Sequence, residues 1–336
     1  MEGYKRWAQV LFLGLLGLTA CSKNNGGLGN NGGLGNNGGP GNNGGGNNGG
    51  GNYGNAGAGS IYVEWATDGI RKINMATNVE STVMGENTSL HNYWISQDGK
   101  SMLASEDAPG TDYDANLYTL TNLSDGTILS QFKYYPTDGD YTSPSLSPDG
   151  TMIAVAPTFD DGIVIMDIKG NILHNLVSFN GKKFDRMVHW MPDNTVLFST
   201  PDGLFRTDAA FKQGSLVKQF NFASWGDVAP SPDGKKIALA GGNHIWMMNA
   251  DGTDLVQVTT STQVEAYPVF SPDGKYLLVA TNYRQSTAFG YIWELRIIPA
   301  DGHQYNVDPG ADKQVMTVIP KGETTVQYGD GRMFWR

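Results

Sequence analysis

The 336-residue sequence predicts an all-β protein, a β-propeller of six four-stranded antiparallel blades. Three observations lead to this prediction. A short phrase centred on a turn dipeptide recurs five times at spacings of 40 to 51 residues, an alternating apolar run follows each copy, and a second strand comes after that run. Repeats of this length are typical of propellers and solenoids, and four short strands in each repeat correspond to one propeller blade.

The recurring phrase predicts a hairpin between the first two strands of each blade. Its second copy reads SLSPDGTMIAVA, and the aspartates of the five copies are Asp98, Asp149, Asp193, Asp233 and Asp273. Asp-Gly, or Asp-Asn in the third copy, favours a tight turn because both residues tolerate a positive φ. We interpret the five aspartates as structural turn residues that accept backbone hydrogen bonds, since their recurrence follows the repeat.

The remaining strands and the two chain ends predict how the ring closes. A third strand follows each hairpin, as in IWMMNADG from residue 245, and a polar–apolar stretch such as LVQVTT closes the unit. Residues 61–88 correspond to a blade without its inner strand, and the C-terminal VQYGDGRMFWR could supply that strand. This pairing removes the sheet edges and gives six blades. Seven would result if Asp330-Gly331 formed an inner-strand hairpin of its own.

SPDG followed by an apolar strand and IWMMNADG resembles the WD-like repeat of the TolB propeller family. The resemblance covers most of residues 61–336 and is weaker at 185–220, where Asn194 replaces the glycine. In that family an α/β domain precedes the propeller, whereas a Gly- and Asn-rich segment occupies that place here. The resemblance therefore implies the propeller, and the family's partners do not transfer automatically.

Residues 1–20 predict a lipoprotein signal peptide. Basic residues precede an apolar stretch at 10–20 that is too short to span a bilayer comfortably. The sequence LTAC at 18–21 resembles the bacterial lipobox, which implies cleavage before Cys21 and acylation of that cysteine, for example with palmitate. An ordinary signal peptide is the alternative, but the only cysteine of the chain stands where the motif requires it. Ser22 in the next position implies, by the same resemblance, an outer-membrane location in the cell envelope, on either side.

Residues 21–59 predict a flexible tether, and residues 60–336 the propeller domain. Between Cys21 and Ser60, 30 of 40 residues are Gly or Asn, which cannot bury a core. The formal net charge of −10 argues against a nucleic-acid partner and favours a basic patch on a protein partner. The single cysteine excludes intrachain disulfides.

The strand order predicts which face of the ring binds a partner. Inner strands end at the Asp-Gly turns, so the loops after second strands and the linkers into inner strands gather on the opposite face. Two of these loops, 105–116 and 281–290, are longer than closure requires. The mixture of aromatic and charged residues there suits proteins, peptides or sugars. The predicted binding face comprises His91, Tyr113, Tyr141, Asp185, Arg186, Trp225, Asp227, Glu265, Tyr267 and Tyr283.

Motifs for catalysis are scarce. The sequence contains no G-x-S-x-G elbow, and its five histidines are scattered over different repeats. We expect no cofactor; alternating oxygen ligands at 112–116 would suit calcium, but the glycine and distal glutamate of a calcium loop are missing. The sequence thus predicts a membrane-anchored, non-catalytic docking platform for a protein or peptide. Glycan binding, and a hydrolase or lyase acting on an envelope or extracellular polymer, are the alternatives.

Overall fold

The computed structural model describes residues 56–110, 115–136, 142–156, 162–179, 181, 184, 188–287 and 290–336. These residues form six antiparallel sheets, each sheet being one blade; five have four strands, and in the sixth two short strands share the outer position. A separate pair of short parallel strands completes the sheet structure. In this described part the helical content is one 3-10 turn, Ala66–Asp68. The all-β class and the six-bladed count are therefore confirmed. The signal peptide, Cys21 and most of the tether lie outside the described residues.

The first three blades follow the chain and run outward, blades 2 and 3 from their inner strands and blade 1 from its second strand. Blade 1 contains β1 (Ser60–Trp65), β2 (Gly69–Asn74) and β3 (Glu80–Met84). Blade 2 contains β4 (Leu90–Ile95), β5 (Ser101–Asp107), β6 (Asn116–Asn122) and β7 (Ile128–Tyr134). Blade 3 contains β8 (Ser143–Leu146), β9 (Met152–Ala156), β10 (Ile163–Asp167) and β11 (Ile172–Leu176).

Blades 4 to 6 repeat this order. Blade 4 contains β12 (Val188–Trp190), β13 (Val196–Thr200), β14 (Gly203–Thr207) and β15 (Gly214–Lys218). Blade 5 contains β16 (Trp225–Pro230), β17 (Lys236–Gly241), β18 (His244–Asn249) and β19 (Val256–Gln257), followed by β20 (Thr259–Thr260). Blade 6 contains β21 (Ala266–Phe270), β22 (Tyr276–Ser286) and β23 (Gly290–Pro299), and its outer position is shared by β25 (Met316–Thr317) and β26 (Tyr328–Gly329). Between β23 and β25 in the chain, β24 (Tyr305–Asn306) pairs in parallel with β20. The last strand is β27 (Met333–Trp335).

The C-terminal strand closes the ring by completing blade 1. β27 pairs antiparallel with β1, with Met333 opposite Val63 and Trp335 opposite Ile61. Beyond this pairing, Ser60 and Arg336 exchange two backbone hydrogen bonds of 2.5 and 2.9 Å. Blade 1 is therefore a composite of both chain ends, as the sequence predicts, and the seven-bladed alternative is wrong.

Packing between blades explains the burial pattern of the strands. Middle strands have neighbouring blades on both sides, and all five residues of β13 are buried. Outer strands meet solvent on one side, and β11 keeps Ile172 58% exposed. Because burial on both faces selects continuous apolar runs, the second and third strands carry the clearest sequence signal.

Blades 2 to 6 each have an Asp turn at one end, and we call this side of the ring the turn face. In blade 5 the Ser231 hydroxyl and the Lys235 amide donate to Asp233 Oδ1 at 2.7 and 3.0 Å, and Gly234 has a φ of 70°. These two donors, the hydroxyl first, lower the pKa of the Asp233 carboxyl. The same bonds recur at Asp98, Asp149 and Asp273, whereas Asp193 accepts from the amide and hydroxyl of Thr195.

The chain enters the propeller on the turn face. Residues 56–59 pack beside the turn of blade 6, so that a Cβ on Gly57 would stand 3.8 Å from Asp273 Oδ1. Ala56 is fully buried, and the carbonyl of Ala58 accepts a hydrogen bond of 3.0 Å from Trp335 Nε1. The opposite side, which carries the loops after second strands, is called the loop face below.

Candidate functional site

Six equivalent inner-strand positions surround the loop-face mouth of the central channel. In each blade, one residue makes the last backbone hydrogen bond of the inner strand; it is Ser231 in blade 5 and Arg336 in blade 1. The position meant here is four residues before it. The blade 4 position is outside the described residues. We call the other five the channel-mouth ring: Arg332, Asn92, Ser143, Asp227 and Tyr267, in blades 1, 2, 3, 5 and 6.

Two neighbours in this ring have an unusual backbone. Asp227 and Tyr267 both have positive φ, 49° and 48°, and the ladder shifts register beside each of them. Bulges of this kind redirect a side chain, and positive φ outside glycine is often found at functional sites. The Tyr267 amide donates to Asp227 Oδ2 at 3.3 Å, which joins blades 5 and 6 at the channel. Burial outweighs this bond and raises the pKa of Asp227 to about 6.

Arg332 supplies a cation to the ring. Its side chain is half-buried, its guanidinium lies 5.6 Å from the ring centroid of Trp94, and its carbonyl accepts a 2.6 Å bond from the Tyr93 hydroxyl. Within the described part of the chain, no carboxylate oxygen lies within 4 Å of the guanidinium. Burial lowers the pKa of Arg332 to about 10, against the nearby Tyr93, Tyr267 and Glu64.

His189 lies two positions deeper, at the blade 4 equivalent of Trp94. Burial, together with the positive charge of Arg332, lowers the pKa of His189 to about 3. The imidazole is therefore neutral at physiological pH, and it lies close enough to Arg332 for the guanidinium charge to affect it. Among the described residues, the mouth of the channel combines the Arg332 cation with the Asp227 carboxyl and with neutral hydrogen-bonding groups.

An aromatic ridge runs from this mouth to the tip of the hairpin formed by β22 and β23. We define it as Tyr267, Tyr283, Tyr291 and Trp293. Tyr283 stacks on Tyr291 and on Trp293 at centroid distances of 5.2 and 5.6 Å, and Tyr267 contacts Trp293 at 5.0 Å. The ridge passes from Trp293, 1% exposed, to Tyr291, 37% exposed. The structure thus brings together Tyr267 and Tyr283, two residues of the predicted binding face, at 6.0 Å.

Two other residues of that predicted face turn inward. Glu265 is 1% exposed; its Oε2 accepts a 2.8 Å bond from Thr259 Oγ1 and lies 2.7 Å from His244 Nδ1. These contacts fix the linker between blades 5 and 6 against β18. His91 contacts Asp107 Oδ1 through Nε2 at 2.5 Å, with only 9% of its side chain exposed. Both residues serve the packing of the loop face rather than its outer surface.

The remaining predicted residues contribute less to this arrangement. Trp225 is half-buried and packs against Phe220, with ring centroids 4.5 Å apart. Four residues lie outside the described part of the chain, as does most of the segment considered for calcium at 112–116. They are Tyr113, Tyr141, Asp185 and Arg186.

A small polar cleft of about 220 Å³ lies beside the ridge, between the linker of blades 5 and 6 and β22–β23. Two of its charged groups already pair with each other, because Arg296 Nη2 donates to Glu294 Oε2 at 2.9 Å, and Asp308 is a further charged group in its lining. Across the described ranges, no cluster of three His, Cys, Asp or Glu side chains is arranged to hold a metal ion. The same ranges contain no helix with the length and apolar character of a membrane span.

Sequence reasoning missed Arg332, His189 and Tyr291. Arg332 belongs to the only inner strand that no Asp turn follows, so counting back from the turn motif cannot reach it. Arg336 is the counterpart, in the composite blade, of the residue that begins the turn motif in the other blades. Counting four residues back from Arg336 would have placed Arg332 in the same ring as Asp227 and Tyr267. His189 stands within the repeat phrase itself, where recurrence draws attention to the turn.

Comparison with solved structures places the chain among TolB-like propellers in fold. TolB from Acinetobacter baumannii superposes with a TM-score of 0.58 at 19% identity, over 82% of this chain and 66% of that one. The protein assigned as TolB in Agrobacterium tumefaciens gives 0.53 at 16% identity, over 79% of this chain and 91% of that one. This chain thus spans just under two thirds of the Acinetobacter protein. No family profile matches the sequence, and no curated protein matches it significantly.

Proposed function

We propose that this protein is a lipid-anchored envelope protein whose propeller is a docking platform for a protein or peptide, with the loop face as the docking surface. The aromatic ridge carries this proposal. Tyr and Trp provide large contact areas at low cost in side-chain entropy and are enriched in binding hot spots. The ridge leads from an exposed hairpin tip to the channel mouth, a path suited to an extended segment that ends in the channel.

The path of the chain supports the same choice of face. Residues 56–59 are held on the turn face, so a tether fixed to a membrane at Cys21 would leave the propeller on that side. The loop face would then point away from the lipid and stay accessible to a partner. If the 34 residues between Cys21 and Ala56 form the flexible chain that their composition predicts, they would reach roughly 30–35 Å, beyond the headgroup region.

A photo-crosslinking residue at position 291 should capture the partner in living cells. We expect a discrete adduct from the full-length protein with the crosslinker at 291, and none from a crosslinker at Lys235, an exposed residue on the turn face. Equal labelling from both positions, or none from 291, would contradict the choice of the loop face.

The ridge itself is tested by Tyr283→Ala in the same crosslinked protein. Loss of the stacking partner of both Tyr291 and Trp293 should weaken capture about 10- to 100-fold, the usual effect of removing an aromatic hot spot. Tyr135→Ala provides the matched control, since Tyr135 is 62% exposed but lies outside the ridge. If both variants capture the partner equally well, the ridge does not bind it.

Membrane anchoring is tested by Cys21→Ser. The substitution should abolish incorporation of a labelled fatty acid and move the protein from the membrane to the soluble fraction, because sustained anchoring needs two or more acyl chains. Ser22→Ala serves as the control and should retain the label. Unchanged labelling in Cys21→Ser would remove the lipoprotein part of the proposal.

Glycan binding receives less support from the geometry. Sugars stack on open aromatic faces, but Tyr283 is covered on both sides, and Trp225 packs against Phe220. A glycan array probed with the full-length protein separates the two functions. Binding that is lost in Tyr291→Ala would favour the glycan.

A further inference from the structure

We propose that Arg332 is a carboxylate-binding residue at the channel mouth, and that the docked partner presents an acidic side chain or a C-terminal carboxylate to it. The proposal rests on the docking function above and names the chemistry that this site would recognise. Arg332 lies in the channel-mouth ring and is not part of the aromatic ridge.

The first argument is the state of the guanidinium. Arg332 is half-buried in the ring, yet among the described residues no carboxylate oxygen lies within 4 Å of it. None of its nitrogens is sealed from solvent without a partner, so the donors remain accessible from the channel. A partly desolvated cation that no carboxylate contacts directly is costly, and a bound anion would offset that cost.

The second argument is how the side chain is held. The guanidinium lies over the Trp94 ring at 5.6 Å, and the Tyr93 hydroxyl fixes the Arg332 backbone through a 2.6 Å bond to its carbonyl. Stacking on an aromatic face leaves the donor edge of a guanidinium free, and that edge matches the two oxygens of a carboxylate. Arg332 is thereby positioned before a ligand arrives.

The third argument concerns the charge of the ligand. The neighbours facing the guanidinium are neutral: the phenols of Tyr93 and Tyr267, and the imidazole of His189. Glu64 contributes negative charge only from beyond 4 Å. Arg332 carries a single positive charge, and the ring already contains the Asp227 carboxyl, so the site suits a ligand with one negative charge, which favours a carboxylate over a phosphate dianion.

A random dodecapeptide library, displayed and panned on the full-length protein, supplies the probes. The enriched peptides are then synthesised with a free or amidated C-terminus, and with Asp and Glu or the matching amides. We expect removal of the recognised carboxylate to weaken binding to the wild type about 10- to 100-fold, as for a charge-assisted hydrogen bond. The same change should have little effect on binding to Arg332→Gln, which already lacks the partner group.

Arg284→Gln is the matched control. Arg284 is a cation on the same hairpin as the ridge, 40% exposed, and its loss should leave the carboxylate preference unchanged. Equal carboxylate preference in wild type and Arg332→Gln, with both variants folded by circular dichroism, overturns the site while leaving docking intact. A library that yields no bound peptide overturns the site together with peptide docking, whereas crosslinking at position 291 reports on docking alone.

Discussion

Trp335→Ala is expected to lower the free energy of unfolding by about 3–5 kcal/mol, the cost of deleting a large buried aromatic side chain. Trp335 is 1% exposed and packs with Ile61, Val63 and Met333 where the two chain ends meet. Its indole also donates to the Ala58 carbonyl, which would lose that donor. The substitution therefore weakens the strand pairing that closes the ring, and the loss should exceed that of an ordinary core residue.

Urea unfolding of the full-length protein, followed by circular dichroism, measures this effect. Trp246→Ala is the matched control, because its indole makes a similar 3.0 Å bond to the Gly241 carbonyl, but only within one hairpin, and its side chain is half-buried. Trp335→Phe should fall between wild type and Trp335→Ala. A cost for Trp335→Ala no greater than that for Trp246→Ala would show that the C-terminal strand is dispensable for closure.

Asp227→Asn should stabilise the protein at neutral pH and have much less effect in acid. Burial raises the pKa of Asp227 from 3.8 to about 6, so the folded protein binds its proton more tightly than the unfolded chain does. The stability linked to this group is present below its ordinary pKa and is lost as the pH rises through about 6. Asparagine stays neutral and also tolerates the positive φ of this position.

The expected gain at pH 7.5 is about 1–2 kcal/mol. A shift of this size in a fully enclosed group would correspond to about 3 kcal/mol, but partial exposure to solvent reduces the cost of ionisation at this half-buried position. Unfolding midpoints at pH 4.5 and 7.5 measure the effect. Asp233→Asn provides a control of opposite sign, since turn donors lower the pKa of that carboxyl. Equal effects of Asp227→Asn at both pH values would contradict the assignment.

The fold could be predicted in detail from the sequence because each of its signals is local. An Asp-Gly turn, an alternating strand and a second turn specify one blade wherever they occur, and five copies reveal the ring. The composite blade was predictable as well, since residues 61–88 lack one strand and the C-terminus offers one. The Asp193 copy shows the limit of the motif, because Asn194 adopts a φ of 62° and the turn forms without glycine.

The site was only partly predictable, because it depends on contacts between blades. Tyr267 and Tyr283 were identified from loop position, and the hairpin register brings them together at 6.0 Å. Glu265 has the same kind of position, but a hydroxyl and an imidazole from neighbouring segments draw its carboxylate inward. No pattern along one strand distinguishes these outcomes, and the partners of Arg332 come from blades that are distant in sequence.

The doubly paired first strand determines how the protein would respond to tension. β1 is bonded along both edges, through six residue pairs with β2 and three with β27. A pull transmitted along residues 56–59 acts directly on the start of β1, and the bonds on both of its edges would resist that pull. If the chain is anchored at Cys21 while a partner is held on the loop face, the same strand pairing that closes the ring would also resist mechanical unfolding of the propeller, starting with the removal of β1.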